Sequence, residues 1–248
     1  MRLENKVALI TGGASGFGKG IAETFAREGA RIAVADIDHD GARKVAASIS
    51  NTALAVACDV SKRADVQAAV EATVEAFGTI DILVNNAGTS HVRGPMLEVD
   101  EAEFDRLMAV NVKSVFLFAH AVVPLMRKKK SGVIINIGST AGIRPRPGLT
   151  WYNASKGAVN LLSKSMAVEL APDGIRVCAV APVMAETPLL PTFMGGDSPE
   201  LRAQFKATIP LGRFAGIADV ARATLFLASD EAAFLTGNVL EVDGGRCV

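Results

Sequence analysis

The chain has 248 residues, half of them hydrophobic, and its 26 Lys plus Arg balance 26 Asp plus Glu. That length and apolar content suit one α/β domain with a buried core, and a formal net charge of zero offers no general attraction for nucleic acid or an anionic membrane. The three well-separated cysteines, Cys58, Cys178 and Cys247, exclude a paired-cysteine zinc site or a secreted disulfide framework and predict a reducing, cytoplasmic setting.

Arg2, Glu4 and Lys6 interrupt the first residues, so no signal peptide is predicted there. The first apolar run, KVALIT, is followed by RIAVAD, ALAVACDV, IDILVNN, GVIINIGS, IRVCAVAP and NVLEVDGG. Each is apolar at consecutive positions, the pattern of strands covered by helices on both faces. Amphipathic segments alternate with them. Ser61 is predicted to open one helix, and Asp100 with Glu103 forms a capping box for a long helix toward Lys129. Val115 to Met126, the longest apolar stretch, is too short to span a bilayer and contains Pro124. The expectation is an α/β, doubly wound, seven-stranded parallel sheet with helices on both faces, a Rossmann-like single domain over residues 1–248. Residues 184–199 read as irregular, with prolines, two adjacent glycines and exposed-looking Leu189, Leu190 and Phe193. A substrate flap over about 184–210 and an ordinary surface loop both fit that composition.

Between the first strand and first helix lies GGASGFGKG. Taken as Gly13-x4-Gly18-Lys19 it nearly matches the cradle of nucleoside triphosphates, but Gly20 stands where a Ser or Thr hydroxyl must hold magnesium. Taken as Gly12-x3-Gly16-x-Gly18, with Ser15 and Phe17 inside the loop, it brings backbone N–H groups at a helix start to a pyrophosphate and calls for no metal. Asp36 closes the second strand, eighteen positions after Gly18, where a carboxylate can accept from the adenosine ribose hydroxyls. It also repels a 2′-phosphate, and Ile37 after it is not basic, so NAD is favoured over NADP.

Tyr152 and Lys156 lie one helical turn apart and share a face. A nearby ammonium lowers a phenol's pKa and makes it a usable acid/base. Ser139, at the end of a strand, can hold the same substrate oxygen.

In order along nearly the whole chain, TGGASGFG, Asn85 to Gly88 (NNAG), Asn111, Ser139, Tyr152-x3-Lys156 and TGNVLEVDGG resemble the short-chain dehydrogenase/reductase family. The resemblance implies an oxidoreductase interconverting a secondary alcohol and a ketone, with Tyr152 as acid/base. It gives Lys156 a second role on the nicotinamide ribose and Asn111 support of a water through which Lys156 exchanges protons. It further implies adenine contacts at Asp59 and Val60, a ribose wall over Asn85 to Gly88 (Asn85, Asn86, Ala87 and Gly88), a carboxamide grip at Thr187, and a homotetramer built on the two long helices. Two positions depart from the family pattern. Val183 follows Pro182 where glycine is common, and Ala185 replaces a frequent branched residue. The substrate walls are expected at Ile143 to Trp151, Met184 to Phe193, and His91 with Arg93, and Arg144 and Arg146 are candidates for selecting an anionic substrate. A 3-oxoacyl-(acyl-carrier) reductase, docking its carrier on Arg127 to Lys130, shares these motifs; a nucleotide-triphosphate-binding protein and a non-catalytic cofactor module are the remaining alternatives.

Overall fold

The computed structural model describes residues 1–49 and 53–248. Seven strands, β1 Val7–Thr11, β2 Arg31–Asp36, β3 Ala53–Ala57, β4 Ile82–Asn85, β5 Gly132–Ile137, β6 Ile175–Pro182 and β7 Val239–Val242, form one sheet in the order β3-β2-β1-β4-β5-β6-β7. Every neighbouring pair is parallel, with Leu9 opposite both Ala33 and Leu83 at its centre.

Alternate residues of each inner strand feed two separate cores. Ala8, Ile10, Ile32 and Val34 join helices α1 (Gly16–Arg27), α2 (His39–Ile49) and α9 (Ile217–Ala228) through Ile21, Phe25, Val45 and Val220. Leu9, Ala33 and Ala35 face α3 (Arg63–Phe77), α5 (Ser114–Lys129) and α6 (Thr150–Leu170) through Val66, Phe118, Val122 and Leu170. Burial on both faces is what the unbroken apolar runs require. The edge strands β3 and β7 are only half-buried, because each has a neighbour on one side alone.

The structure revises several local expectations. Ser61 does not cap α3; the helix begins at Arg63, and the Ser61 hydroxyl donates to Asp59 Oδ1 at 2.6 Å. Asp100 does cap α4 (Glu101–Met108) by accepting from Glu103 N at 2.8 Å, but the Glu103 carboxylate turns to Arg106. The long helix is interrupted by a π-helical turn at Ala109–Lys113, with Asn111 in its middle. Glu101–Lys129 as a whole is long and apolar enough to cross a membrane, yet its buried side is a structural layer against α3, β4 and β5. Residues 184–210 are not an irregular loop: they contain α7 (Leu190–Met194) and α8 (Pro199–Lys206) over a small core of Val183, Met184, Leu190, Met194 and Phe214. Leu190 is therefore buried, since its side chain is the centre of that core.

Candidate active site

The strand order reverses between β1 and β4, and the chain leaves these two strands in opposite directions at their carboxyl ends, opening a crevice. Asn86 holds the two exits together. Its Nδ2 donates to Thr11 O at 2.8 Å and Gly12 O at 3.0 Å, while its N–H and that of Ala87 donate to Thr11 Oγ1 at 3.0 Å each. Sterics then dictate glycine. Gly12 has φ +62, and a Cβ there would lie 2.8 Å from Ala87 Cα; a Cβ on Gly18 would overlap Gly12 O. Gly20 packs so closely on Ile217 of α9 that a side chain would overlap it. That helix contact, and no metal chemistry, accounts for the residue that breaks the triphosphate motif.

A cavity of about 560 Å³ runs from this loop to the amino end of α6. Gly12, Ser15, Gly16, Phe17, Asp36, Ile37, Asp59, Val60, Ala87 and Gly88 line it at one end, and Ser139, Tyr152, Lys156 and Thr187 at the other. Four expected site residues do not face it. Gly18 lies beneath the loop, Asn85 donates to Asn136 Oδ1 at 2.8 Å inside the sheet, and Ala185 is buried in a bridge to Ala215. Asn111 is buried, receiving Thr89 N at 2.8 Å and donating to Thr89 O and Ser155 Oγ. It therefore braces the wall after β4; Gly88 is the point where Asn111 Oδ1 and Lys156 Nζ both approach. His91 is buried outside the cavity, and Arg93 lies over Phe205 and donates to Pro147 O. Asn86 and Leu149 line it from within the expected stretches Asn85 to Gly88 and Ile143 to Trp151, whereas Thr89, Arg106 and Ile137 line it from outside any expected stretch. None of those three lies in a motif, so no local signal marks them.

Asp36 Oδ2 accepts from Ala14 N and Oδ1 from Asp38 N, both at 2.9 Å. These bonds fix the carboxylate at the crevice while leaving lone pairs on both oxygens. Asp59 is held below its ordinary pKa by hydrogen bonding from Ser61 and by Lys62.

Tyr152 and Lys156 face the same cavity, as one helical turn requires, but their electrostatics differ from the expectation. Burial pushes the Tyr152 phenol up to about 12, against the opposing influence of the Ser139 hydroxyl and the Arg146 guanidinium. Lys156 Nζ donates to Ile137 O at 2.8 Å, and burial lowers its pKa to about 8. The physical reason is that desolvation disfavours the charged form of both groups in a closed cleft. Ser139 Oγ accepts from Ala141 N at 3.0 Å, and Asn160 Nδ2 holds Ser139 O at 3.1 Å, fixing the residue at the strand end.

A parallel sheet with this strand order, a glycine turn at its switch point and a Ser, Tyr and Lys set at the far end of one crevice define a class of oxidoreductase. The chain belongs to the short-chain dehydrogenase/reductase family: the family model described as Enoyl-(Acyl carrier protein) reductase matches residues 12–246. It is 49% identical over 250 residues to 4-formylbenzenesulfonate dehydrogenase of Comamonas testosteroni, covering 99% of both chains. It is 43% identical to 2-(R)-hydroxypropyl-CoM dehydrogenase of Xanthobacter autotrophicus, covering 97% of this chain and 98% of that one. Among solved structures, 3-ketoacyl-(acyl-carrier-protein) reductase from Brucella melitensis, complexed with NADH, superposes with a TM-score of 0.95 at 48% identity, covering 99% of this chain and 100% of that one.

Proposed function

We propose that the protein is an NAD-dependent oxidoreductase that interconverts a secondary alcohol and a ketone of small size. The observation that carries this reading is the single cavity joining the glycine turn and Asp36 to Ser139, Tyr152 and Lys156. The turn fits a pyrophosphate, because Gly12 and Gly18 leave no room for Cβ atoms and its N–H groups stand at the start of α1. In this reading Gly12, Ser15, Gly16, Phe17 and, by permitting the turn, Gly18 hold the diphosphate. Asp36 and Ile37 take the adenosine ribose, Asp59 and Val60 the adenine, Ala87 and Gly88 the wall between, and Thr187 the carboxamide. When bound, the dinucleotide supplies the hydride acceptor or donor at its nicotinamide ring.

The rest of the chemistry belongs to the chain. Ser139 Oγ holds the substrate oxygen. Tyr152, kept neutral by burial, donates its proton to that oxygen in reduction and takes it back in oxidation. Lys156, fixed by Ile137 O and with a pKa lowered to about 8, exchanges protons at the inner end of the same pocket. Residues 184–210 act as the flap, with the Phe193 ring 4.9 Å from that of Tyr152. The relatives named for an aldehyde sulfonate and a hydroxypropyl compound support a small carbonyl or alcohol substrate. Against the carrier-linked alternative, Arg127 is tied to Asp173 and Lys129 to Asp81, so half the basic run is already neutralised. We further propose a cytoplasmic setting, since Cys58, Cys178 and Cys247 are free thiols, and a homotetramer, because Phe116 on α5 and Leu161 and Val168 on α6 are large apolar side chains left 49%, 65% and 81% exposed.

The test is spectrophotometric. Purified protein with NAD and secondary alcohols, or NADH and ketones, should change absorbance of the reduced nicotinamide, and NADP should be the poorer partner. Asp36→Asn should narrow the NAD to NADP ratio of kcat/KM by about tenfold. No turnover with any pair, or an unchanged ratio, removes the respective part of the reading.

A further inference from the structure

Two arginines line the cavity, and they differ in one respect. Arg106 is neutralised, its Nη2 lying 2.7 Å from Glu103 Oε1. Arg146 is not: among the described residues no carboxylate pairs with it, and its Nη2 is buried without a hydrogen-bond partner. Its neighbours add to the cost. The like charge of Arg246 acts on Arg146, and Arg246 Nε is a second buried guanidinium nitrogen without a partner. Burying cationic donors unpaired is expensive, and burial with Arg246 lowers the Arg146 pKa to about 10. Around it the substrate end of the cavity is walled by Leu149, Met184, Leu189 and Phe193. One unpaired guanidinium in an apolar wall, in the cavity that Ser139 and Tyr152 also line, is a complement to an anionic group. Arg144, its neighbour in sequence, is spent elsewhere: it is exposed, and its Nη1 donates to Arg246 O at 2.6 Å.

We propose that Arg146, and not Arg144, is a specificity-determining residue that binds the carboxylate or sulfonate of an anionic ketone or alcohol whose oxygen reaches Ser139 and Tyr152. This rests on the cleft being a carbonyl-reducing site and deepens that reading by naming the substrate class. Arg146 also lies over the Phe205 ring of α8, 5.8 Å from its centroid, so a purely structural role in holding the flap is the competing explanation. Such a role affects charged and neutral substrates alike; anion binding separates them.

The experiment measures kcat/KM with saturating NADH for 4-acetylbenzoate, 4-acetylbenzenesulfonate and the neutral methyl 4-acetylbenzoate. It uses the wild type, Arg146→Met, Arg146→Lys and Arg144→Ala. The anions should be preferred over the ester by roughly tenfold or more, Arg146→Met should lower that preference by roughly 10- to 100-fold, and Arg146→Lys should restore part of it. Arg144→Ala should leave the preference as it was. In parallel, titration calorimetry of the NAD-saturated protein with 4-acetylbenzoate reads binding without turnover. An equal loss on charged and neutral ketones in Arg146→Met, or no preference in the wild type, overturns the proposal. If none of the ketones is reduced, the carbonyl-reducing reading fails, and the calorimetry decides the anion site by itself. Binding abolished in Arg146→Met supports the site, and equal or absent binding in both proteins overturns it.

Discussion

The turn after β1 and the segment between β6 and α9 meet across the cleft, with a Cβ on Gly16 reaching to 3.7 Å from Thr187. They are built by different means. The turn is held by backbone: Gly12 and Gly18, where a Cβ would run into backbone, and Asn86 bonds to Thr11 and Gly12. The 184–210 segment is held by side chains, namely its own small core and the ion pairs of Arg202 with Glu186 and Asp197. Its glycines are looser than Gly12 and Gly18, since a Cβ on Gly195 would meet nothing nearer than 3.7 Å. Backbone sterics leave little room for variation, which suits a cofactor shared by many enzymes. Side-chain packing can be rewritten residue by residue, which suits the proposed role of 184–210 as a substrate flap.

The sharpest division between binding and chemistry is Tyr152→Phe. Turnover should fall by roughly 10²- to 10⁴-fold while dinucleotide affinity stays within about threefold, measured by steady-state kinetics and fluorescence titration. Near-normal turnover would remove the phenol from the mechanism.

Glycine substitutions probe the comparison directly. Gly18→Ala should cost up to about 3 kcal/mol in urea unfolding and weaken dinucleotide binding, because backbone cannot move aside from the new Cβ. Gly195→Ala, limited to the strain of its φ of +76, should cost about 1 kcal/mol and leave dinucleotide binding alone. Equal effects would erase the distinction between the two regions.

Lys156 gives a pH signature. Its folded pKa of about 8 lies below the ordinary 10.5, so between these values the unfolded chain binds more protons and stability from this group rises with pH. Below about pH 8 the burial cost is fully present. Lys156→Met should therefore be more stable than the wild type at pH 7.5, and its advantage should shrink by about 2 kcal/mol by pH 10. A pH-independent difference would show that the ammonium is solvated. The smallest effect is expected for Arg202→Ala. The melting temperature should move by only about 2 °C, since exposed ion pairs contribute little, but proteolysis within 184–210 should speed up. Unchanged proteolysis would mean that the small core alone holds the segment.

Much of this was legible in the sequence because it is written in local pattern. Consecutive apolar residues announce strands covered on both faces, so the seven runs read directly as a parallel sheet. The glycine spacing and the Tyr152-x3-Lys156 turn are local too, and both reach the cleft. Asn111 and Asn85 were harder, because a residue type at a motif position does not state which way its side chain turns. Both turn inward, to Thr89 and Ser155 in one case and to Asn136 in the other. The helices of 184–210 were hidden by prolines that begin short helices as readily as they break long ones, as Pro191 and Pro199 do.

By itself, then, the sequence determined the sheet, the glycine turn and the placing of Tyr152 and Lys156 on one face at the amino end of α6, because each depends on spacing along a strand or one helical turn. Only the tertiary structure decided the protonation balance and the distinction between arginines two positions apart. Tyr152 is governed by burial, Arg144 is drawn to the carbonyl of Arg246, and Arg146 is left charged and unpaired in the cleft. Desolvation and pairing are properties of what surrounds a group in space, and residues far apart in the chain supply those surroundings.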